Sequence, residues 1–250
     1  MTDSKTITDA VRQRYAAIAE KSGSCCGPSC CDPSVTDMSL GYSKEELATL
    51  PEGADLGLGC GNPTALADVK PGETVIDLGS GAGIDCFLAA QKVGPSGHVI
   101  GIDMTEAMIK KARGNAAKGP HTNVEFRLGQ IEQLPVEDNT ADIVISNCVI
   151  NLAPDKERVF REIFRVLKPG GRFVVSDVIA KGTIPEADRR DMEMWAGCIA
   201  GALEKDLYLA IVRKTGFISL DIKAEVEYDY KKSDAYALVS MTLEAIKPRL

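Results

Sequence analysis

Apolar positions first recur at helical spacing. Over residues 6–20, Ile7, Val11, Tyr15 and Ile18 fall on one face, which predicts an amphipathic helix. From Ser22 to Tyr42 the period is lost among Ser, Gly, Pro, Cys and Asp, predicting an irregular, mobile loop. Ser43, with Glu46 three residues on, has the form of a capping box and opens a short helix ending near Pro51. Gly53, Gly57, Gly59 and Gly61 then crowd around Cys60, a density that predicts tight turns and close backbone approach.

Beyond Gly72, short apolar runs alternate with amphipathic stretches. Strands are predicted over 74–78, 98–103, 124–128, 141–147 and 172–178. Helices are predicted from the Gly79–Gly83 turn to about Val93, over 105–117, and from Pro154, in its first turn, to Leu167. Lys168-Pro169-Gly170-Gly171 reads as a stop signal. The chain is expected to be helical from Lys181 to about Lys214, with two β-rich stretches, 217–230 and 237–246, forming a hairpin at one sheet edge. Such alternation gives an α/β fold, a parallel sheet with helices on both faces.

Composition narrows the function classes. The 250 residues are 44% hydrophobic and 26% charged, with a net charge of −7 and scattered Lys and Arg, which argues against a nucleic-acid surface. No apolar run is long enough to span a membrane, and the N-terminus lacks a signal-peptide stretch, so a cytoplasmic protein with no membrane partner is expected. Eight cysteines in a chain of this size, in a reducing compartment, are expected as free thiols. His98 and His121 have no other plausible ligand near them in sequence, so no structural metal is expected.

The first strand ends in IDLGSGAG, placing Asp77 two positions before Gly79, Gly81 and Gly83 at alternate spacing, unlike the dinucleotide pattern. The second ends in GID, where Asp103 can accept from both ribose hydroxyls. Acids and turn carbonyls suit the positive sulfonium and amino groups of S-adenosyl-L-methionine better than a phosphate; a packing turn in another α/β protein is the plain alternative. With LGQIEQLPVEDNTADIVIS and the LKPGG turn, these residues resemble the class I, Rossmann-like, seven-strand methyltransferases over residues 70–180. The resemblance implies that Asp77, Gly79, Ser80, Gly81, Gly83 and Asp103 bind S-adenosyl-L-methionine. It also implies that Ile131 and Glu132 border the adenine, Met104 packs on it, and Asn147 lies near the methionine end.

In such a sheet ligands sit at the carboxyl ends of the strands beside the switch point, here the first and fourth. The fourth ends in SNCVINL, so Cys148 is expected near the presented methyl group, the bland alternative being a small buried hydrophobe. Cys60, just before the first strand, and Cys198, in the cover after the fifth, could each be packing residues alone. Three thiols able to meet in one pocket suit a soft, trivalent, thiophilic acceptor. Cys86, beside Phe87 and Leu88, reads as packing.

YSKEELATLPEGADLGLGCGNP, IDLGSGAGID, ISNCVINL and MWAGCIAGAL together resemble the arsenite methyltransferase family along nearly the whole chain. The resemblance implies that Cys60, Cys148 and Cys198 bind As(III), and that a cysteine of the N-terminal loop joins a redox cycle, Cys30 or Cys31 lying nearer Cys60 than Cys25 and Cys26 do. Read from their residues, those four thiols fit a metalloid-capturing loop, a redox partner for Cys60, a small thiolate site or an inert tail. The implied partners are arsenite and methylarsenite as substrates and thioredoxin or glutathione as reductant; a monomer is compatible with all of this. The expected division is 1–70 for the N-terminal helix, Cys-rich loop and Cys60 loop, 71–180 for the cofactor-binding core, and 181–250 for the cover and hairpin. Two other readings stay open: methylation of a quinone or sterol-like acceptor, and metalloid sequestration on a vestigial fold.

Overall fold

Runs such as Val75-Ile76 and Val99-Ile100 have no polar alternation, and strands of that kind are stable only when both faces are covered. The computed structural model, which describes residues 3–20, 41–227 and 235–249, covers them on both sides. The strands are β1 (Thr74–Leu78), β2 (His98–Asp103), β3 (Val124–Leu128), β4 (Ala141–Asn147), β5 (Leu167–Gly182), β6 (Leu203–Glu204), β7 (Ile218–Glu227) and β8 (Tyr236–Ile246). Their order is β3-β2-β1-β4-β5-β8-β7, with the two-residue β6 paired to β5 off that path. The strands from β1 to β5 run parallel, and β8 lies antiparallel between β5 and β7. The order therefore reverses between β1 and β4, opening a crevice at their carboxyl ends.

The helices are α1 (Ser4–Glu20), α2 (Lys44–Ala48), α3 (Pro63–Leu66), α4 (Ile84–Val93), α5 (Glu106–Ala116), α6 (Lys156–Val166), α7 (Glu186–Arg189), α8 (Met192–Ala196) and α9 (Lys205–Lys214). One face of the sheet buries Ile76, Leu78, Val144 and Phe173 against Phe160 and Ile163 of α6 and Tyr208 and Val212 of α9. The other buries Val75, Val99, Ile143 and Val174 against Phe87 and Ala90 of α4 and Ile109 and Ala112 of α5. The Phe173 ring, fully buried, has its centroid 5.6 Å from Phe160 and 4.8 Å from Phe217. None of the helices among the described residues is long and apolar enough to cross a membrane.

Strands β1 to β4 and the Ser43 capping box stand where the sequence pattern puts them. Four local expectations are corrected. Pro154 precedes α6 instead of opening it; Asp155 is the cap, accepting from the Arg158 amide. The Lys168–Gly171 stop is absorbed into β5: Gly170 takes a left-handed φ of 81°, and its amide and the Gly171 carbonyl pair with the backbone of Lys247. The expected helix over 181–214 is broken into α7, α8 and α9: Arg190 caps α7 and Asp191 caps α8, while Gly197, Cys198 and Gly201 turn the chain between α8 and α9. Among the crowded glycines, Pro63 starts the short α3, capped by Asn62, whose side chain accepts from the Ala65 amide. The loop cysteines Cys25, Cys26, Cys30 and Cys31 lie outside the described residues.

Phe173→Ala removes a ring packed on Phe160 of α6 and on Phe217, the residue before β7, and should lower unfolding stability by about 3–5 kcal/mol in urea titration. An unchanged midpoint would contradict the packing described.

Candidate active site

Each glycine of the turn after β1 has its own constraint. A Cβ on Gly79 would lie 2.2 Å from the Val149 side chain, and one on Gly83 2.7 Å from the Phe87 ring. Gly81, at φ 52°, faces open space. Two glycines therefore let neighbours close in, while the third keeps a cradle open above the turn. The Asp103 carboxylate holds that cradle, accepting from the amides of Gly81 at 3.0 Å and Thr105 at 2.8 Å, and burial raises it above the ordinary carboxylate range. Ser80 Oγ is buried with no hydrogen-bond partner among the described residues.

Asp77 lies behind the turn, 3% exposed, and accepts from the Cys86 thiol at 3.2 Å. Burial first, then the neighbouring Asp85, push its carboxyl well above the usual range. Cys86 therefore does more than pack. Met104, with Leu128, Gly129 and Gln130, faces Arg12 and Ala16 of α1 across a cavity of about 560 Å³. Glu132, raised by burial, lines a second cavity of about 430 Å³ with Arg158, while Ile131 is buried in the core under β3 and β4.

Asn147, expected near the methionine end of a cofactor, holds a hydrogen-bond network together. Its Oδ1 accepts from the Cys60 amide at 2.9 Å, and its Nδ2 donates to the Gly61 carbonyl at 2.7 Å and to the Tyr42 hydroxyl at 3.0 Å. Tyr42 in turn donates to the Asp85 carboxylate at 2.9 Å, which also accepts from Thr64 at 2.7 Å. Tyr42 and Asp85 escaped the sequence reading. The only signal for Asp85 was an acid in the first turn of a helix, where the helix dipole favours it.

The three thiols expected to converge do lie in one cluster, all buried, beside Leu152, Val178 and Ala196. Glycines permit the approach of Cys60: a Cβ on Gly59 would come within 2.8 Å of the Asn147 amide, and one on Gly61 within 2.8 Å of Ser176 Oγ. The Ser176 carbonyl of β5 accepts both the Cys148 amide at 2.7 Å and the Cys60 thiol at 3.4 Å. The Cys198 thiol donates to the Cys148 carbonyl at 2.8 Å. Cys148 and Cys198 are left-handed, at φ 61° and 62°, a conformation costing on the order of 1–3 kcal/mol in a non-glycine residue. The Cys148 thiol is raised well above the ordinary range by its hydrogen bonds with Cys198 and Cys60 and then by burial; burial raises Cys60 too. Among the described residues no three Cys, His, Asp or Glu side chains are already gathered as around a metal ion. The Cys60 and Cys198 thiols rest on backbone carbonyls, while that of Cys148 is engaged with the two other sulfurs.

A buried polar layer underlies the thiols. Lys156 donates to the carbonyls of Ala153 at 3.0 Å and Asn151 at 3.3 Å, with its ammonium 5.5 Å from the centre of the Trp195 ring. Burial lowers it to about 8. Asp177 accepts from the Tyr208 hydroxyl at 3.1 Å and is pushed up by burial to about 7, the Lys156 charge working against that rise.

The sheet order, the open glycine cradle and the acid ending β2 define a class I S-adenosylmethionine-dependent methyltransferase domain. A methyltransferase domain family model matches residues 69–216. An arsenite methyltransferase of Halobacterium salinarum is 48% identical, the alignment covering 98% of this chain and 68% of that protein. One of Mus musculus is 40% identical over 70% of this chain and 49% of its own length. A crystal structure of an arsenic(III) S-adenosylmethionine methyltransferase from Chlamydomonas reinhardtii superposes with a TM-score of 0.70 at 33% identity, covering 87% of this chain and 75% of that one. The chain belongs to the arsenite methyltransferase family.

Two tests follow from the geometry. Asn147→Leu strands the Cys60 amide and the Gly61 carbonyl, which should cost about 1–3 kcal/mol and speed iodoacetamide alkylation of Cys60; unaltered alkylation would remove Asn147 from its pinning role. Asp177 has a raised folded-state value, about 7 against 3.8, so the folded chain retains a proton that the unfolded chain has lost between those values. Stability contributed by Asp177 therefore falls as pH rises through that window. Asp177→Asn should flatten that part of the thermal-stability profile, and a slope surviving unchanged would locate its source elsewhere.

Proposed function

We propose that the chain transfers a methyl group from S-adenosylmethionine to arsenite held by Cys60, Cys148 and Cys198. One observation carries this reading: three buried thiols from separate segments cluster at the strand ends beside the cofactor turn. Val149 presses on Gly79, so Cys148 stands one residue from that turn.

S-adenosylmethionine, when bound, supplies an electrophilic methyl group on a positively charged sulfur. The open cradle at Gly81, the Asp103 carboxylate and the adjoining cavity against Met104 fit such a ligand. The chain's own work is capture and alignment. Each thiol displaces one hydroxyl of arsenite, its proton leaving with that hydroxyl as water, and three such exchanges release three waters. Arsenic then carries three sulfurs and a lone pair directed away from them. That pair bears no proton, so its attack requires no general base; the positive charge passes from sulfur to arsenic as the methyl moves. Alignment is the main contribution, worth roughly 7–11 kcal/mol when the reacting atoms are well placed.

Return of methylated arsenic to the trivalent state takes two electrons, which a thiol reductant such as thioredoxin or glutathione supplies. Cys30 and Cys31 are the candidate capture or redox thiols. Methylarsenite has only two exchangeable hydroxyls and can engage two of the three buried thiols.

Arsenical speciation after incubation with cofactor, arsenite and excess thiol tests the whole reading. Methylated products should form, and Cys148→Ser should reduce their rate by about a hundredfold or more. If the chain binds cofactor yet returns arsenite unmethylated, the proposal fails in favour of sequestration.

A further inference from the structure

Helix α1 lies across the thiol cluster, with Ile7 and Val11 buried in it. Tyr15 follows Val11 on the same face, one turn on. Tyr15, Met104 and Trp195 pack together on the cluster that holds Cys60, Cys148 and Cys198. The Tyr15 hydroxyl reaches the Ala196 carbonyl at 3.5 Å, on the segment leading into Cys198. Around it, Arg12 and Ala16 of the same helix line the cavity that also exposes Met104 and Thr105. Burial raises the Tyr15 hydroxyl well above its usual range, with further contributions from the thiols of Cys198 and Cys148 and a smaller one from Asp103. Tyr15 thus packs on the cluster that holds the three thiols, as Met104 does, and its helix neighbours Arg12 and Ala16 line the cavity that Met104 also lines.

An aromatic face attracts a cation through its quadrupole and has no such attraction for a neutral sulfur. Methyl transfer changes the sulfur from the first kind to the second. We propose that the Tyr15 ring faces the sulfonium of S-adenosylmethionine and makes the site prefer the charged methyl donor over the neutral product, S-adenosylhomocysteine. The hydroxyl, tied to Ala196, fixes the ring; the attraction belongs to the ring itself. This rests on the methyltransferase reading and adds to it a means of releasing the spent cofactor.

The test is calorimetric titration of the full chain with each ligand separately. Tyr15→Leu should weaken S-adenosylmethionine about fivefold and leave S-adenosylhomocysteine nearly unchanged, while Tyr15→Phe keeps the wild-type ratio. A loss shared equally by both ligands, or by neither, overturns the proposal, since a packing role has no way to distinguish them. A series of fluorinated phenylalanines at position 15 covers the case in which the leucine variant does not fold. The donor-to-product affinity ratio should fall with each added fluorine, and a flat series overturns the proposal. Wild-type chain that binds neither ligand would sink the methyltransferase reading itself, an outcome distinct from an unchanged ratio.

Discussion

A buried backbone amide must find an acceptor, and the Cys60 amide finds it in the side chain of Asn147. The acceptor end of the site is organised around that bond. Asn147 ends β4, so the bond seats the loop before β1 against the strand that leads directly into Cys148. The same amide group reaches Gly61 and Tyr42, and through Tyr42 it meets Asp85, in the first turn of α4. Three parts of the chain with no local reason to meet are thereby joined at the switch point of the sheet: the Cys60 loop, the end of β4 and the helix that follows the cofactor turn.

Electrostatics at this junction favour a cationic visitor. Asp77 and Asp85 are each 3% exposed, and each has its carboxyl raised, chiefly by burial. The charge of Asp85 raises Asp77 further, while hydrogen bonds from Thr64, Tyr42 and Asn147 pull Asp85 down. Two buried acids close together are costly to ionise, and a positive ligand lowers that cost. The alternate spacing of the glycines has the same logic. Gly79 and Gly83 give up their side chains to Val149 and Phe87, while Gly81 leaves room for a ligand to approach the backbone.

Strands β1 to β4 were legible in the sequence because each is a short apolar run bounded by turn residues, and nothing in the tertiary structure overrides that signal. The full length of β5 was not: its pairing with β8 extends to Gly182, so distant residues decide its end. The break between α8 and α9 was hidden for a related reason. Cys198 is left-handed because its thiol and the turn around it are held by the Cys148 and Trp195 carbonyls, and no local propensity of cysteine foretells this. At the site, residue type revealed the thiols, since sulfur chemistry is carried by the side chain alone. It did not reveal which polar groups were already engaged. The strand-end position of Asn147 is visible in sequence, whereas its hydrogen bond to residue 60 is not.

The resting arrangement of the thiols follows from the cost of leaving polar hydrogens unpaired. Three protonated sulfurs drawn to one point, with no arsenic between them, would lose the carbonyl acceptors that Cys60 and Cys198 now use. The chain instead holds their backbones close, two of them in a strained left-handed form, and parks the thiol hydrogens on Ser176 and Cys148. Thiol hydrogen bonds to carbonyls are weak. They keep the side chains ordered without holding them strongly. Burial works the same way: it raises the Cys60 and Cys148 thiols, so both are neutral before the acceptor arrives. Keeping these two neutral avoids confining adjacent negative charges in a buried cluster. Strain in the backbone, weak bonds at the sulfurs and neutrality of the Cys60 and Cys148 thiols together suit a site completed by the substrate itself.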